Sequence, residues 1–279
     1  MKLYHYTSID SLALILKNRT IRFTRLDMLD DLEENLKSSG VNVGNYSFAS
    51  CWTEDEEESI PQWKMYTDNG LGVRIALNKD MFKDYHNPEF VELSGIRVST
   101  KDFLSITKTP LEDFINPKIL VLPITPKEMN SVMFKRVEYV DNVFERTQDC
   151  VKIIPVTSNY SRVDIEHPLV GKYKNKRWAF QKEVRFVLLI FPGKIFREKK
   201  AAFLHELGQW LYDVWTKNIP NEITYYDMQL KEDIFDTMEI TLSPSMPYSK
   251  QIIVESLVKI FAPQATVSLS RLSPSVRLK

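Results

Sequence analysis

The run Phe186-Val187-Leu188-Leu189-Ile190-Phe191, closed by Pro192-Gly193, constrains this chain more than any other stretch. It is the longest apolar run, far short of the roughly 18 residues of a membrane-spanning helix, and it has the length of a strand. Just before it, Gln181, Glu183 and Arg185 alternate with Lys182 and Val184. Period-2 geometry puts those three polar residues on one face and Phe180, Val184 and Phe186 on the other. Beyond Arg185 both faces become apolar, so the strand dives into a core and its charged entrance lies where a cleft would open.

The rest of the chain can supply that core. Its 279 residues are 43% hydrophobic and 27% charged, as in a globular protein rather than a disordered one. Lys plus Arg equal Asp plus Glu at 37 each, so no global field draws in nucleic acid or an anionic membrane. Generic nucleic-acid binding is not expected. Two cysteines, Cys51 and Cys150, exclude a disulfide scaffold and form no metal-ligand spacing. The start, Met1-Lys2-Leu3-Tyr4-His5, lacks a signal-peptide core, which leads us to expect a cytoplasmic location. His5, His86, His167 and His205 are scattered, and no phosphate loop, dinucleotide turn or nucleophile elbow occurs. No metal site is expected.

Local patterns alternate irregularly between strand and helix. Lys2 to Tyr6 reads as a strand, followed by a helix capped within Thr7-Ser8-Ile9-Asp10 that buries Leu12, Ile15 and Leu16. Thr20 to Thr24 reads as a strand. Asp27 to Leu36 reads as a helix with Leu29, Leu32 and Leu36 on one face. Tyr46 to Trp52 is a strand, and the acids 54–58 precede a helix from Ser59 to Asp68 that Asn69-Gly70 stops. Gly72 to Leu77 is a strand. Stretch 78–171 is less regular, an insertion or an irregular part, with strands expected at Glu89 to Ile96 and Met133 to Val140 and a helix at Asp141 to Ile153. Lys172 to Arg177 reads as a mobile basic loop. Helices are expected at Lys199 to Lys217 and Ser249 to Phe261, and strands at Asp236 to Leu242 and Ala265 to Leu269. The class is α+β: one domain over 1–279, a mixed, mainly antiparallel sheet, whole or split, with helices packed around it.

Three polar clusters could carry chemistry. His5, between Tyr4 and Tyr6 at a strand end, can donate to a ribose hydroxyl or a carbonyl; the alternative is a satisfied structural histidine. Ser50 on a strand and Gln62, Trp63 and Tyr66 on one helix face could wall a ring-binding slot, or pack in the core. Gln181, Glu183 and Arg185 could place a carboxylate against a ribose 2′-hydroxyl and a positive anomeric carbon, or form an ion pair.

In order and spacing these residues resemble a bacterial family known as a domain of unknown function, number twenty-nine seventy-one. The resemblance rests on the strand and helix from Leu3 to Leu16, on Asp30, Asp31 and Glu34, on Ser50, on Trp63 to Tyr66 and on Gly72-Val73. Late in the chain it adds Glu183 and Arg185 and a small-residue signature at Ser268 to Arg271 or Ser270 to Ser273. A second resemblance is to ADP-ribosyltransferases, which use a His on the first strand, a Tyr on a helix and a Glu on a late strand. It implies NAD as substrate, His5 on the nicotinamide-side ribose, Tyr66 stacking on nicotinamide and Glu183 on the ribose 2′-hydroxyl. Ser50, Trp63, Gln181 and Arg185 would help hold the nucleotide.

Two functions follow as expectations. One is an NAD-consuming ADP-ribosyltransferase or NAD glycohydrolase, in a phage-defence or toxin setting, with a macromolecular acceptor that the sequence does not name. The other is a non-enzymatic sensor that binds a nucleotide or peptide in the same cleft. A metal-dependent nuclease built on Glu183 and Asp31 is the least favoured, given the balanced charge.

Overall fold

Alternation at the N-terminus folds as read. Strand β1 (Lys2–Thr7) leads into helix α1 (Ile9–Asn18), where the Ser8 side chain accepts the Ser11 amide and Ile9, Leu12, Ile15 and Leu16 face inward. Arg19 closes the helix in the left-handed conformation and β2 (Thr20–Arg25) follows. The computed structural model describes residues 1–278 apart from 39, 94–95, 115, 158–159, 195–200, 274 and 277.

Further along come β3 (Ser47–Thr53), α2 (Ile60–Tyr66) and β4 (Val73–Asn78). Two short strands, β5 (Ile119–Val121) and β6 (Phe134–Arg136), precede β7 (Tyr173–Asn175) and the long β8 (Glu183–Pro192). The chain continues through α3 (Ala201–Thr216), β9 (Tyr225–Gln229), β10 (Glu239–Leu242), α4 (Tyr248–Phe261) and β11 (Thr266–Leu269). Among the described residues, ten of these strands form one sheet in the order β5-β8-β3-β1-β4-β10-β11, with β6 on β8, β2 on β3 and β9 on β2. Every pairing in it is antiparallel except β10 with β11. The expected α+β class with a mainly antiparallel sheet is what forms.

β8 shows why its apolar run dominates. Val184, Phe186, Leu188 and Ile190 enter one buried cluster with Leu12, Leu16 and Val254. Val187, Leu189 and Phe191 enter a second, on the other face, with Tyr46, Val214 and Trp215. The strand is covered on both sides, so nothing on it after Arg185 is polar.

Five local expectations fail, the first at Glu89 to Ile96, where the strand Phe90–Leu93 pairs antiparallel with a second strand, Ile96–Ser99. Asp27 to Leu36 is not a helix but two single 3-10 turns, Leu26–Met28 and Leu32–Glu34, separated by extended backbone at Leu29 and Asp31. The break leaves Leu32 in solvent, 82% exposed, and turns Glu34 inward. Asp141 to Ile153 yields only a five-residue helix, Val143–Thr147, before a strand, Val151–Thr157, that starts with buried Val151. Met133 to Val140 divides into β6 and a separate strand, Glu138–Val140, which pairs in parallel with β7. Lys172 to Arg177, expected as a mobile loop, is β7 and the start of a 3-10 turn, and its cations are taken. Lys172 pairs with Glu138 at 2.7 Å, Lys176 with Asp141 at 2.6 Å and Arg177 with Glu33 at 3.4 Å.

The cleft arises where the sheet forks. One edge of β3 pairs with β8 from Ser47 to Thr53. Its other edge meets β2 at Phe48 and Ala49, and meets β1 at Thr53 through Tyr4. Between those two contacts, β1 and β2 diverge across Ser50–Trp52.

Candidate ligand cleft in the sheet fork

A cavity of about 290 Å³ fills this fork. β1 contributes Tyr4, His5 and Tyr6, β2 Arg22 and Thr24, and β3 Ala49 to Trp52. α2 adds Gln62 and Tyr66, and the far wall holds Lys174, Gln181 and Glu183. His5, Tyr66 and Glu183, 178 positions apart at their extremes, therefore line one cavity together with Ser50 and Gln181. Trp63 and Arg185 do not line it. Trp63 is fully buried, packs edge-on against Tyr6 and donates its indole N–H to Glu58, so it is a core residue. Arg185 lies behind the wall with no exposed surface.

His5 reaches across the fork. Its Nδ1 lies 2.8 Å from the Cys51 carbonyl oxygen, and a carbonyl can only accept. Nδ1 therefore carries the proton and Nε2 is left with a lone pair. Burial pushes the imidazole below its ordinary value, so the ring is neutral and offers an acceptor. With Nδ1 taken by that carbonyl, the neutral ring can only accept at Nε2.

Gln181 precedes Lys182, whose left-handed backbone (φ 45°) turns the chain into β8. The turn takes Gln181 off the alternation read from the sequence and into the 3-10 segment Lys176–Gln181. Its Nε2 donates to the Tyr66 hydroxyl, which leaves the Tyr66 proton free for a ligand. Its backbone oxygen accepts from Gln62 Nε2 at 2.8 Å, and its Oε1 is buried without a hydrogen-bond partner. The phenol of Tyr66 is pushed upward in pKa by burial and stays protonated.

Glu183 anchors a buried set of four charges. Its Oε2 lies 3.1 Å from Lys174 Nζ, and its Oε1 lies 2.6 Å from Arg185 Nη2 without the alignment of a hydrogen bond. Glu34 completes the set, 2.9 Å from Lys174 and 2.5 Å from Arg185. All four side chains are almost wholly buried. Burial alone would raise the Glu183 carboxyl, but Arg185 and Lys174 overcome it and hold the acid at about 2. The carboxylate is ionised and its charge is matched. Beside it the Cys51 thiol is pushed well up by burial and is no thiolate nucleophile.

Lys174 and Glu34 belong to the site although no sequence motif assigns them to it. Glu34 is visible as the last acid of Asp30, Asp31 and Glu34, and its partner Arg185 as the end of Glu-x-Arg, but neither motif names the other. Lys174 is masked by its basic neighbours; the signal is its place between Tyr173 and Asn175 in an alternating triplet. The acids 54–58 likewise do more than begin a helix. Glu54 pairs with Arg136 at 2.8 Å and Asp55 with Lys182 at 2.6 Å, while Glu58 accepts from Trp63, Ser270 and the Arg271 amide. Among the described residues, no group of three or more His, Cys, Asp or Glu side chains could hold a metal ion, and no helix is long and apolar enough to cross a membrane.

No curated protein and no solved structure matches the chain. A family model does, over a stretch that includes Trp63 to Tyr66, Gly72-Val73 and the Glu183-x-Arg185 strand entrance. The matching model is that of the family described as protein of unknown function (DUF2971), and it covers residues 62–186, which are similar to that family.

Proposed function

We propose that the fork cleft binds a nucleotide, or another small molecule with a ring and hydroxyl or amine donors, and that recognition rather than turnover is its main task. The observation that carries this reading is the lining itself. Tyr4, Tyr6, Trp52 and Tyr66 all line the pocket, and beside them His5 leaves Nε2 with a lone pair to accept. Such walls suit a flat ring carried on a hydroxyl-bearing sugar. A volume of about 290 Å³ fits a base with its ribose, with any further part of the ligand outside the fork.

A second reading has one observation in its favour: His5, Tyr66 and Glu183 share the cavity, in the order that the ADP-ribosyltransferase resemblance implies. On that reading the glycosidic C–N bond of NAD breaks, nicotinamide leaves with the bonding pair, and water or an acceptor attacks the anomeric carbon. Glu183 would bond the 2′-hydroxyl and oppose the developing positive charge. Its two cationic partners weigh against this, because a carboxylate whose charge is already matched exerts little net field on the cavity.

One experiment separates the readings. Purified protein is incubated with NAD, ADP-ribose, ADP and AMP, with and without cell lysate as acceptor source. Thermal stability and chromatographed products are followed for wild type, Tyr66→Ala and Glu183→Gln. Binding predicts a raised melting temperature without product, lost in Tyr66→Ala. Product that disappears in Glu183→Gln replaces that conclusion with the catalytic one. No stabilisation and no product reject both.

A further inference from the structure

Tyr4 is shared with a second cavity, of about 370 Å³. Strand register builds it. Tyr4 opposes Ala76, which opposes Glu239, and one step along Tyr6 opposes Arg74, which opposes Thr241, which opposes Ser268. This row crosses four strands on one face of the sheet, and the Glu56–Glu58 segment and Arg271 close over it.

Among the buried cations of the described residues, only Lys135 resembles Arg74 in having no carboxylate partner, and Lys135 can lose its proton. Lys108 has two aspartates, Asp80 and Asp84; Lys174 and Arg185 share Glu34 and Glu183. Lys135 has only the carbonyls of Val132 and His167, and burial brings its pKa down to about 8. Arg74, 7% exposed, has neutral partners alone: the Glu56 backbone oxygen at 2.9 Å, the Tyr4 ring at 4.5 Å and the Tyr6 ring at 5.9 Å. Its Nε is buried without a hydrogen bond, and no carboxylate among the described residues lies within ion-pair reach. A guanidinium cannot shed its proton as a lysine can, and a buried charge without a counter-ion is costly. The chemical complement of such a group is an anion.

The rest of the lining defines that anion. Lys2, Arg74 and Arg271 face Glu56, Glu58 and Glu239, so the walls sum to zero charge. Glu58 is consumed by three donors, whereas Glu239 and Glu56 are about half exposed and two-thirds exposed and pair with Lys2 and Arg271. A ligand with an anion alone would leave the cavity negative. A ligand carrying both signs would not. We infer that this second cavity binds a zwitterionic small molecule of the α-amino-acid class, its carboxylate on Arg74 and its ammonium toward Glu239 and Glu56. The site is independent of the fork cleft, and its occupant would touch the back of Tyr4.

The test begins with thermal shifts of the full chain against each free proteinogenic L-amino acid at millimolar concentration. The strongest binder, its α-amide and its N-acetyl derivative are then titrated calorimetrically. Loss of a hydrogen-bonded charge pair should weaken binding about tenfold or more, so both derivatives bind more weakly than the parent. Arg74→Gln loses the response, Arg74→Lys weakens it and Tyr66→Ala, which disables the fork cleft, retains it. The inference is overturned if no amino acid binds, if the amide binds as tightly as the acid, or if folded Arg74→Gln binds like wild type. The derivative series needs no variant, so it decides the question even if Arg74→Gln does not fold.

Discussion

Glu34, Lys174, Glu183 and Arg185 come from three separate stretches of chain and cancel one another's charge behind the fork. A buried set of this kind is costly to break from one side, because removing one partner strands the others. Glu34→Gln leaves two cations facing a single carboxylate and should cost about 3–5 kcal/mol in urea unfolding. An unchanged midpoint would mean that water already screens the set. Acid provides an independent probe. The Glu183 acid sits at about 2 in the folded chain against 4.5 ordinarily, so its contribution is complete above about 4.5 and fades as pH falls toward 2. Glu183→Gln should flatten stability across that interval relative to wild type. At this scale the sequence was half legible: it marked the charged residues as motifs but not their pairing, since ion pairs 151 positions apart leave no local pattern.

Elements were legible wherever period and cap agreed. In α1 the apolar spacing, the Ser8 cap and the left-handed stop coincide. Between Asp27 and Leu36 the apolar spacing was equally good, yet Glu34 must turn inward to Arg185 and Lys174, and that tertiary demand breaks the helix. The strand β9 leaves little trace in the sequence because Tyr225-Tyr226-Asp227-Met228-Gln229 shows no clean alternation; it is recruited as an edge partner of β2, and Met228 alone is deeply buried. Gly72 shows how a motif residue can serve an element rather than the chemistry. A Cβ there would lie 2.2 Å from the Thr7 carbonyl oxygen and 2.8 Å from Thr67 Cβ, so the glycine lets β4 start against the end of β1. Gly72→Ala should destabilise by about 3 kcal/mol, through backbone that cannot give way. A melting temperature equal to wild type would show that β1 and β4 can separate at no cost.

For the molecule as a whole, the fork joins what the sequence keeps apart. β3 serves β8 on one edge and divides between β1 and β2 on the other, so His5, Tyr66 and Glu183 meet around a gap in a single sheet. The ADP-ribosyltransferase resemblance implied their meeting, and the Glu183–Arg185 ion pair was one of the two readings of that strand; the parts that Lys174 and Glu34 play in it were not legible, because they depend on tertiary placement. A ligand that selects this folded cleft at 100 times its dissociation constant should add about 2.7 kcal/mol to stability. The most direct test is chemical-shift mapping of deuterated protein titrated with AMP and then NAD. Nucleotide binding in the fork predicts saturable shifts concentrated at Tyr4 to Tyr6, Ala49 to Trp52, Tyr66 and Gln181, with the outer face of α4 silent. Shifts gathered elsewhere, or no saturable shifts with either nucleotide, would contradict it.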